Sequence, residues 1–273
     1  IGATADSKSW SLQDFQTAAT FATTVRRGVR GFAIDQSVSG LAPFLYSADG
    51  KVVNDQQDSL DFSDDSTRAA LQKVLTTLSN PQLTLSPQQL SRQSALKWFE
   101  QGRLGMIAGD RSLVPTLRAV QGLHWDVMPM PTVDHAATVG DFTGLCLSKT
   151  SQRVEDAADL LVGLSSEAMV KTVAQTGYMV PVNQQVALSE DFRQPLLQPL
   201  HAPDFVTSVR NMRILPLTRQ WSTLEQAVAG PVRQLLQAGP TADLDALTAR
   251  FDELSRTVLT PAGSASPDAQ PAD

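Results

Sequence analysis

The chain of 273 residues is 42% hydrophobic and 18% charged, a globular balance with material for about two domains of roughly 100 to 200 residues each. Its net charge of −6 has the wrong sign for a phosphate-backbone partner. No apolar run reaches the roughly 18 residues of a membrane span, so nucleic acid and an integral-membrane body are both set aside.

Taken in chain order, Trp10-Ser11-Leu12-Gln13-Asp14-Phe15 opens a helix over 10–24, with Ser11 and Asp14 as a capping box and Trp10 stapled on Phe15. The basic cluster Arg26, Arg27 and Arg30 at its end reads as a solvated face. Gly31-Phe32-Ala33-Ile34 predicts a short buried strand, and Asp49-Gly50 before Val52-Val53 predicts a hairpin-like reversal. Ser63-Asp64-Asp65 starts a helix carrying Ala70, Leu71, Val74, Leu75 and Leu78 until Asn80-Pro81 stops it. A further helix covers 94–101 and ends at Gly102, and Leu104–Ala108 reads as a central strand.

Trp125–Met128 is expected as a third strand, stopped by Pro129 and Pro131, and Leu145–Ser148 as a fourth. The single cysteine, Cys146, lies in that fourth apolar run and reads as a small core residue that cannot close an internal disulfide. Helical periodicity covers 154–163, 166–175, 222–238 and 243–258. Strands alternating with helices predict an α/β architecture with helices on the faces of a mixed sheet. The last residues, 260–273, are too poor in large apolar side chains to repay ordering and are expected to be a disordered tail.

Catalytic and cofactor patterns are sparse. His124, His135 and His201 stand apart with no converging ligand spacing, so no metal site is expected, and nucleotide-cofactor and hydrolase motifs are absent, so no cofactor is expected. Ser94-Ala95-Leu96-Lys97 fits S-x-x-K, the nucleophile pattern of serine acyl-enzymes, with Lys149-Thr150-Ser151 as a loose K-T-G. The companion S-D-N is missing and Ser94 falls on an amphipathic helix, so an enzyme is not expected.

Two segments carry more. Phe99-Glu100-Gln101-Gly102-Arg103-Leu104-Gly105-Met106-Ile107-Ala108-Gly109-Asp110 and Trp125-Asp126-Val127-Met128-Pro129-Met130-Pro131 resemble the F-x-x-G-(K/R)-x-(A/G)-M and W-x-V-x-P-(L/M)-P signatures of extracellular solute-binding protein family 1, the maltose-binding-protein-like family. The likeness extends over Trp10–Phe15, Gly140–Lys149, Ser165–Ala168 and Gly177–Asn183, six segments in family order across residues 10 to 258.

The resemblance implies a periplasmic-binding-protein type II-like fold of two lobes with mixed sheets flanked by helices. Here 1–139 forms the C-lobe, 140–212 part of an incomplete N-lobe and 213–259 further C-lobe helices. It implies a monomer that binds a small solute, in most members a carbohydrate, in an interlobe cleft and hands it to the membrane permease of an ABC importer. The protein is then extracytoplasmic, periplasmic or lipid-anchored, with the export signal and first βα units of the N-lobe upstream of Ile1. A ligand sensor or interaction module on the same scaffold is the alternative.

A sugar needs planar paired donors and acceptors for its hydroxyls and a ring for its C–H face. The residues the resemblance places in the cleft are Asp110, Arg111 and Ser112 after the strand ending at Ala108, Asp141 and Phe142 at the crossing strand, and Tyr178 in the G-Y-x-x-P loop. Trp221, Arg219 and Tyr46 are further candidates. Asp110-Arg111-Ser112 stands where many sugar-binding members have G-P-W, and Phe142 where many have tryptophan, so a smaller or more polar solute than a long maltodextrin is expected.

Overall fold

The computed structural model describes residues 9–260. Its elements begin with helix α1 (Leu12–Val25), strand β1 (Arg30–Ala33), α2 (Val38–Ser47), α3 (Asp65–Leu78), α4 (Pro87–Arg92), α5 (Ala95–Glu100) and strand β2 (Leu104–Ile107). A 3-10 turn at Arg111–Leu113 leads into α6 (Val114–Arg118), followed by β3 (Thr138–Gly140), α7 (Val154–Leu164), α8 (Glu167–Gln175), α9 (Gln184–Ala187) and α10 (Glu190–Arg193). Then come α11 (Pro203–Ser208), β4 (Met212–Ile214), α12 (Trp221–Ala238) and α13 (Leu244–Leu259).

By packing, the chain falls into two compact units. The first takes the described chain up to Ile34, then Pro81–Thr132 and Ala136–Arg213; the second takes Asp35–Asn80, Val133–His135 and the chain from Ile214 onward.

In the first unit, β1 and β2 pair in parallel with Phe32 opposite Met106, and Thr84 bridges β1 on its other side. β1 is therefore the inner strand and β2 the edge among the described residues, where the sequence placed β2 centrally. Helix α1 lies directly on this sheet, for a reason visible in two glycines. A Cβ on Gly31 would sit 2.6 Å from the Ala19 carbonyl oxygen, and one on Gly105 2.6 Å from the Ala22 Cβ, so only glycine permits the approach. The capping box forms as expected: Ser11 Oγ accepts from the Asp14 N–H and the Asp14 carboxylate accepts from the Ser11 N–H. The Trp10 ring meets Phe15 edge-on at 5.5 Å, and Phe15 tilts on Phe32 at 4.7 Å, which carries the staple into the core. Trp98, Leu85, Ala33 and Leu104 form a neighbouring cluster, and Phe192, Val186, Ala174 and Ala202 another under α8 to α10.

The second unit is helical. Leu41, Phe44 and Leu45 of α2, Leu71 and Leu75 of α3, Leu224, Val228, Val232 and Leu235 of α12 and Phe251 of α13 are all buried. Asp252 ties α13 to the loop before α3, accepting from the Phe62 N–H (2.8 Å), the Ser63 N–H (3.0 Å) and the Ser63 hydroxyl. The Phe62 and Phe251 rings meet beside it, tilted by 41° with their centroids 4.6 Å apart.

Three sequence expectations are corrected. Trp125–Met128 is not a strand: Trp125 is buried against Val114 and Leu117, and the Asp126 carboxylate takes the Val127 N–H, withdrawing a backbone donor from any ladder. Leu145–Ser148 is not a strand either, and Cys146 is exposed rather than core. Asp49-Gly50 closes α2, the Gly50 N–H donating back to the Leu45 carbonyl with Asp49 at φ 63°. The reversal lies further on, where Val53 and Leu60 bridge antiparallel around the side chain of Asn54, which bonds Asp58 and Ser59. Of the tail expected to be disordered, 261–273 lies outside the described residues.

Candidate functional site

Two helices of the second unit begin side by side and leave an open recess of about 520 Å³ between their first turns. Asp35 and Ser37 precede α2 and Ser39 sits in its first turn; Thr218 and Arg219 precede α12, whose first turns add Trp221, Ser222 and Glu225.

Unpaired backbone donors at a helix N-terminus attract anionic groups, and Glu225 fills that role for α2. Its carboxylate accepts from the Val38 N–H (2.9 Å), the Ser39 N–H (2.8 Å) and the Ser39 hydroxyl (2.6 Å), while Ser37 Oγ caps the Gly40 N–H at 2.9 Å. Ser39 Oγ in turn accepts from the Trp221 indole N–H at 3.1 Å. The indole is thus held through Ser39 by a carboxylate on its own helix, which fixes the plane of its ring. Around it remain groups with unspent capacity. The exposed Arg219 guanidinium makes no hydrogen bond or ion pair among the described residues, and Asp35 uses only Oδ2, to the Ser37 hydroxyl at 3.1 Å. An aromatic face, a planar cluster of donors and a carboxylate oxygen line the same recess.

Of the residues expected from the sequence, the structure brings Trp221 and Arg219 together in this recess. Tyr46 lies half-buried near the end of α2 and is not part of its lining. The others belong to the first unit. Asp110 is exposed and caps the 3-10 turn by accepting from the Ser112 N–H at 2.8 Å. Arg111 is buried: its guanidinium lies 3.9 Å over the Phe192 ring and 5.4 Å from Phe205, and it donates to the Phe192 carbonyl. Its Nε and Nη1 are buried with no partner among the described residues, and burial, with the neighbouring Arg118 charge second, lowers its pKa to about 10. Asp141 and Phe142 are exposed after β3, and Tyr178 is exposed after α8.

Ser94 is the N-cap of α5, its Oγ accepting from the Lys97 N–H, and the Lys97 ammonium pairs with Glu100. The S-x-x-K spacing is a helix start. Among the described residues no cluster of His, Cys, Asp or Glu could hold a metal.

Sequence reasoning missed Asp35, Ser37, Ser39 and Glu225. A signal existed for the first three, since Ser37 before Leu41-Ala42-Pro43-Phe44-Leu45 is a capping residue ahead of an apolar run. Pro43, which removes a helix-interior donor, masked it. Glu225 carried no signal, because its partners lie 186 and 187 residues away in sequence.

An indole held by hydrogen bonding beside charged and hydroxyl groups with unspent capacity is a surface suited to a small polar solute. The chain belongs to the family of bacterial extracellular solute-binding proteins, whose model matches residues 3–198. The family is one of binding proteins, not of enzymes. No curated protein matches the sequence.

Solved structures share the fold. An ABC substrate-binding protein from Listeria monocytogenes in complex with cycloalternan superposes with a TM-score of 0.75 at 18% identity, covering 94% of this chain and 66% of that one. An ABC transporter solute-binding protein from Thermotoga lettingae bound with α-D-tagatose gives 0.69 at 17%, covering 94% and 67%. The GacH receptor of Streptomyces glaucescens, solved unliganded and with acarbose, gives 0.69 at 15%, covering 93% and 65%. The chain thus spans about two thirds of the length of these structures. No helix among the described residues is long and apolar enough to cross a membrane.

Proposed function

We propose that the protein binds a small neutral polyhydroxy solute, a sugar or sugar derivative, and delivers it to the permease of an ABC importer. The observation that carries this reading is the Trp221 indole, locked by its N–H to Ser39 and flanked by the Asp35 carboxylate and by the Arg219 guanidinium, which is unpaired among the described residues. A sugar ring lays its C–H face on such an indole while its vicinal hydroxyls exchange paired hydrogen bonds with the charged groups. The cycloalternan, tagatose and acarbose held by the structural neighbours support carbohydrate as the solute class.

On the same reading 1–139 and 213–259 belong to one lobe and 140–212 to the other. The protein works as a monomer, extracytoplasmic and either periplasmic or lipid-anchored. Asp110, Arg111, Ser112, Asp141, Phe142, Tyr178 and Tyr46 are then further positions from which a closing cleft reaches the solute.

Calorimetric and thermal-shift screening against mono- and oligosaccharides, amino acids and organic acids tests the reading. At least one neutral carbohydrate is expected to bind, and Trp221→Ala and Arg219→Ala are each expected to weaken it about tenfold or more, as loss of a ring contact or a charged hydrogen bond does. A hit confined to amino acids or anions, or no hit at all, refutes it.

A further inference from the structure

Charge is unevenly spread along the chain. Residues 15–34 and 81–109, which supply most of α1 and all of β1, α4, α5 and β2, carry six basic side chains and a single acid, Glu100, in a protein whose net charge is −6. The fold gathers four of the six at one end of the β1–β2 pair. The strands run parallel, Arg30 opens the first and Arg103 immediately precedes the second, and the Arg30 N–H donates to the Arg103 carbonyl at 3.0 Å. The turn at Gly102 reaches the end of α1, since a Cβ there would stand 3.7 Å from Nη1 of Arg26, the C-cap residue, and Arg27 follows.

Arg26, Arg27 and Arg103 are exposed and Arg30 is half-buried. Two of the four are held in place: the Arg103 guanidinium lies 4.3 Å over the Trp98 ring, and Arg30 Nη1 donates to the Gln82 carbonyl at 3.1 Å. None has a carboxylate partner among the described residues, and Glu100 is taken by Lys97. Beside them on α1 stand Phe21 and Val25, one turn apart and 49% and 66% exposed. A face that meets only water interleaves charges of both signs, because unrelieved like charges repel. Guanidinium groups without acids, next to bare apolar side chains, are instead the chemistry of an element that lies on a membrane: cations for lipid phosphates and apolar groups for the layer beneath.

We propose that this end of the first unit is a docking face for an anionic lipid surface, with Arg26, Arg27, Arg30 and Arg103 on the headgroup phosphates and Phe21 and Val25 entering the interfacial layer. Charge complementarity names the lipid class, and the apolar pair favours a bilayer over a soluble polyanion, which offers Phe21 and Val25 nothing to enter. The face stands clear of the loop assigned to the solute within the same unit. Parallel strands that begin together end together, and β2 runs away from the arginines towards Asp110, Arg111 and Ser112. The inference rests on charge and exposure and not on the solute reading.

Sedimentation of the 273-residue chain with lipid vesicles tests it. Binding is expected to phosphatidylglycerol-rich vesicles and not to pure phosphatidylcholine, and it should fall steeply between about 0.05 M and about 0.5 M salt, as the screening length shrinks from roughly 14 Å to roughly 4 Å. Arg26→Gln combined with Arg27→Gln is expected to weaken binding about 25-fold, near fivefold per charge. Phe21→Ser should weaken it about threefold or more and leave its salt dependence unchanged. Arg250→Gln combined with Arg256→Gln, which alters net charge equally at exposed positions of α13, should leave binding as it is. Each variant is compared with the parent only if it keeps the parent's circular dichroism spectrum. Equal binding to neutral vesicles, no binding at low salt, or an equal loss from the α13 pair would each overturn the proposal. So would dextran sulfate binding as tightly as the vesicles while Phe21→Ser changes nothing, the result for a soluble polymer partner. None of these readouts involves a sugar.

Discussion

Replacing Glu225 by alanine tests the way the recess is held. The carboxylate takes two N–H groups of the first turn of α2 and the Ser39 hydroxyl, and α2 carries the buried Leu41, Phe44 and Leu45. A hydrogen bond to a charged group contributes a net ~1.5–3 kcal/mol, and a carboxylate at a helix N-terminus adds about 0.3–1 kcal/mol. Glu225 is partly exposed, so water recovers some of each bond and the hydroxyl turns to solvent. The expected loss for Glu225→Ala is about 2–4 kcal/mol.

Glu225→Gln, which offers one carbonyl oxygen in place of two charged ones, is expected to lose about half as much. Ser39→Ala removes the acceptor of the Trp221 N–H but spares both backbone bonds, so it is expected to cost about 1 kcal/mol in stability yet weaken solute binding more than Glu225→Gln does. Urea unfolding gives the stability order and calorimetry the affinity order. A Glu225→Ala protein within about 0.5 kcal/mol of the parent, the range of an ordinary surface change, would refute the linkage.

Three further outcomes are expected. Asp252→Ala strands two N–H groups of the loop before α3, the Phe62 one buried, and should cost about 3–5 kcal/mol in urea unfolding, against less than half that for Asp252→Asn. Arg111→Met should leave the melting temperature unchanged or raise it, because a buried guanidinium with two orphan donors gives way to an apolar chain of similar length. The sign follows from the lowered pKa: the folded state holds that proton less well than the unfolded chain, so this group's contribution to stability rises with pH from about 10 upward, and Arg111→Met should remove that contribution. The Asp14 carboxyl, held below the ordinary carboxylate range by the Ser11 hydroxyl and then by the Ser11 N–H, should titrate upward in Ser11→Ala when followed by NMR. That contribution is present above the unfolded pKa and is lost as pH falls through the folded one.

Local signals were legible where local physics decides. Ser11, Asp64, Ser94 and Gly102 mark helix ends by side-chain and backbone chemistry complete within a few residues, and the helices stand where those residues placed them. Apolar runs were less informative, because a run states only that something covers it. Gly31–Ala33 found β2, Thr84 and α1 and became part of a strand; Leu145–Ser148, with the same kind of composition, has no ladder partner among the described residues and did not. Trp125 found its cover through its side chain alone. The site divided likewise, with Trp221 and Arg219 reachable from the resemblance and Asp35, Ser39 and Glu225 dependent on one helix start meeting another.

That meeting also bears on which solute the recess prefers. By side-chain count it holds two carboxylates and one guanidinium, which reads as acidic. Glu225, however, spends its charge on the positive end of α2, so the charges left facing solvent are Asp35 and Arg219, one of each sign. An anionic solute would meet Asp35 and a cationic one Arg219, each repelled by a like charge, whereas a neutral polyol donates to the first and accepts from the second. Asp35→Asn should therefore weaken a sugar and strengthen a sugar acid, Arg219→Gln should weaken both, and a wall that answered only to net charge would not separate the two substitutions in that way.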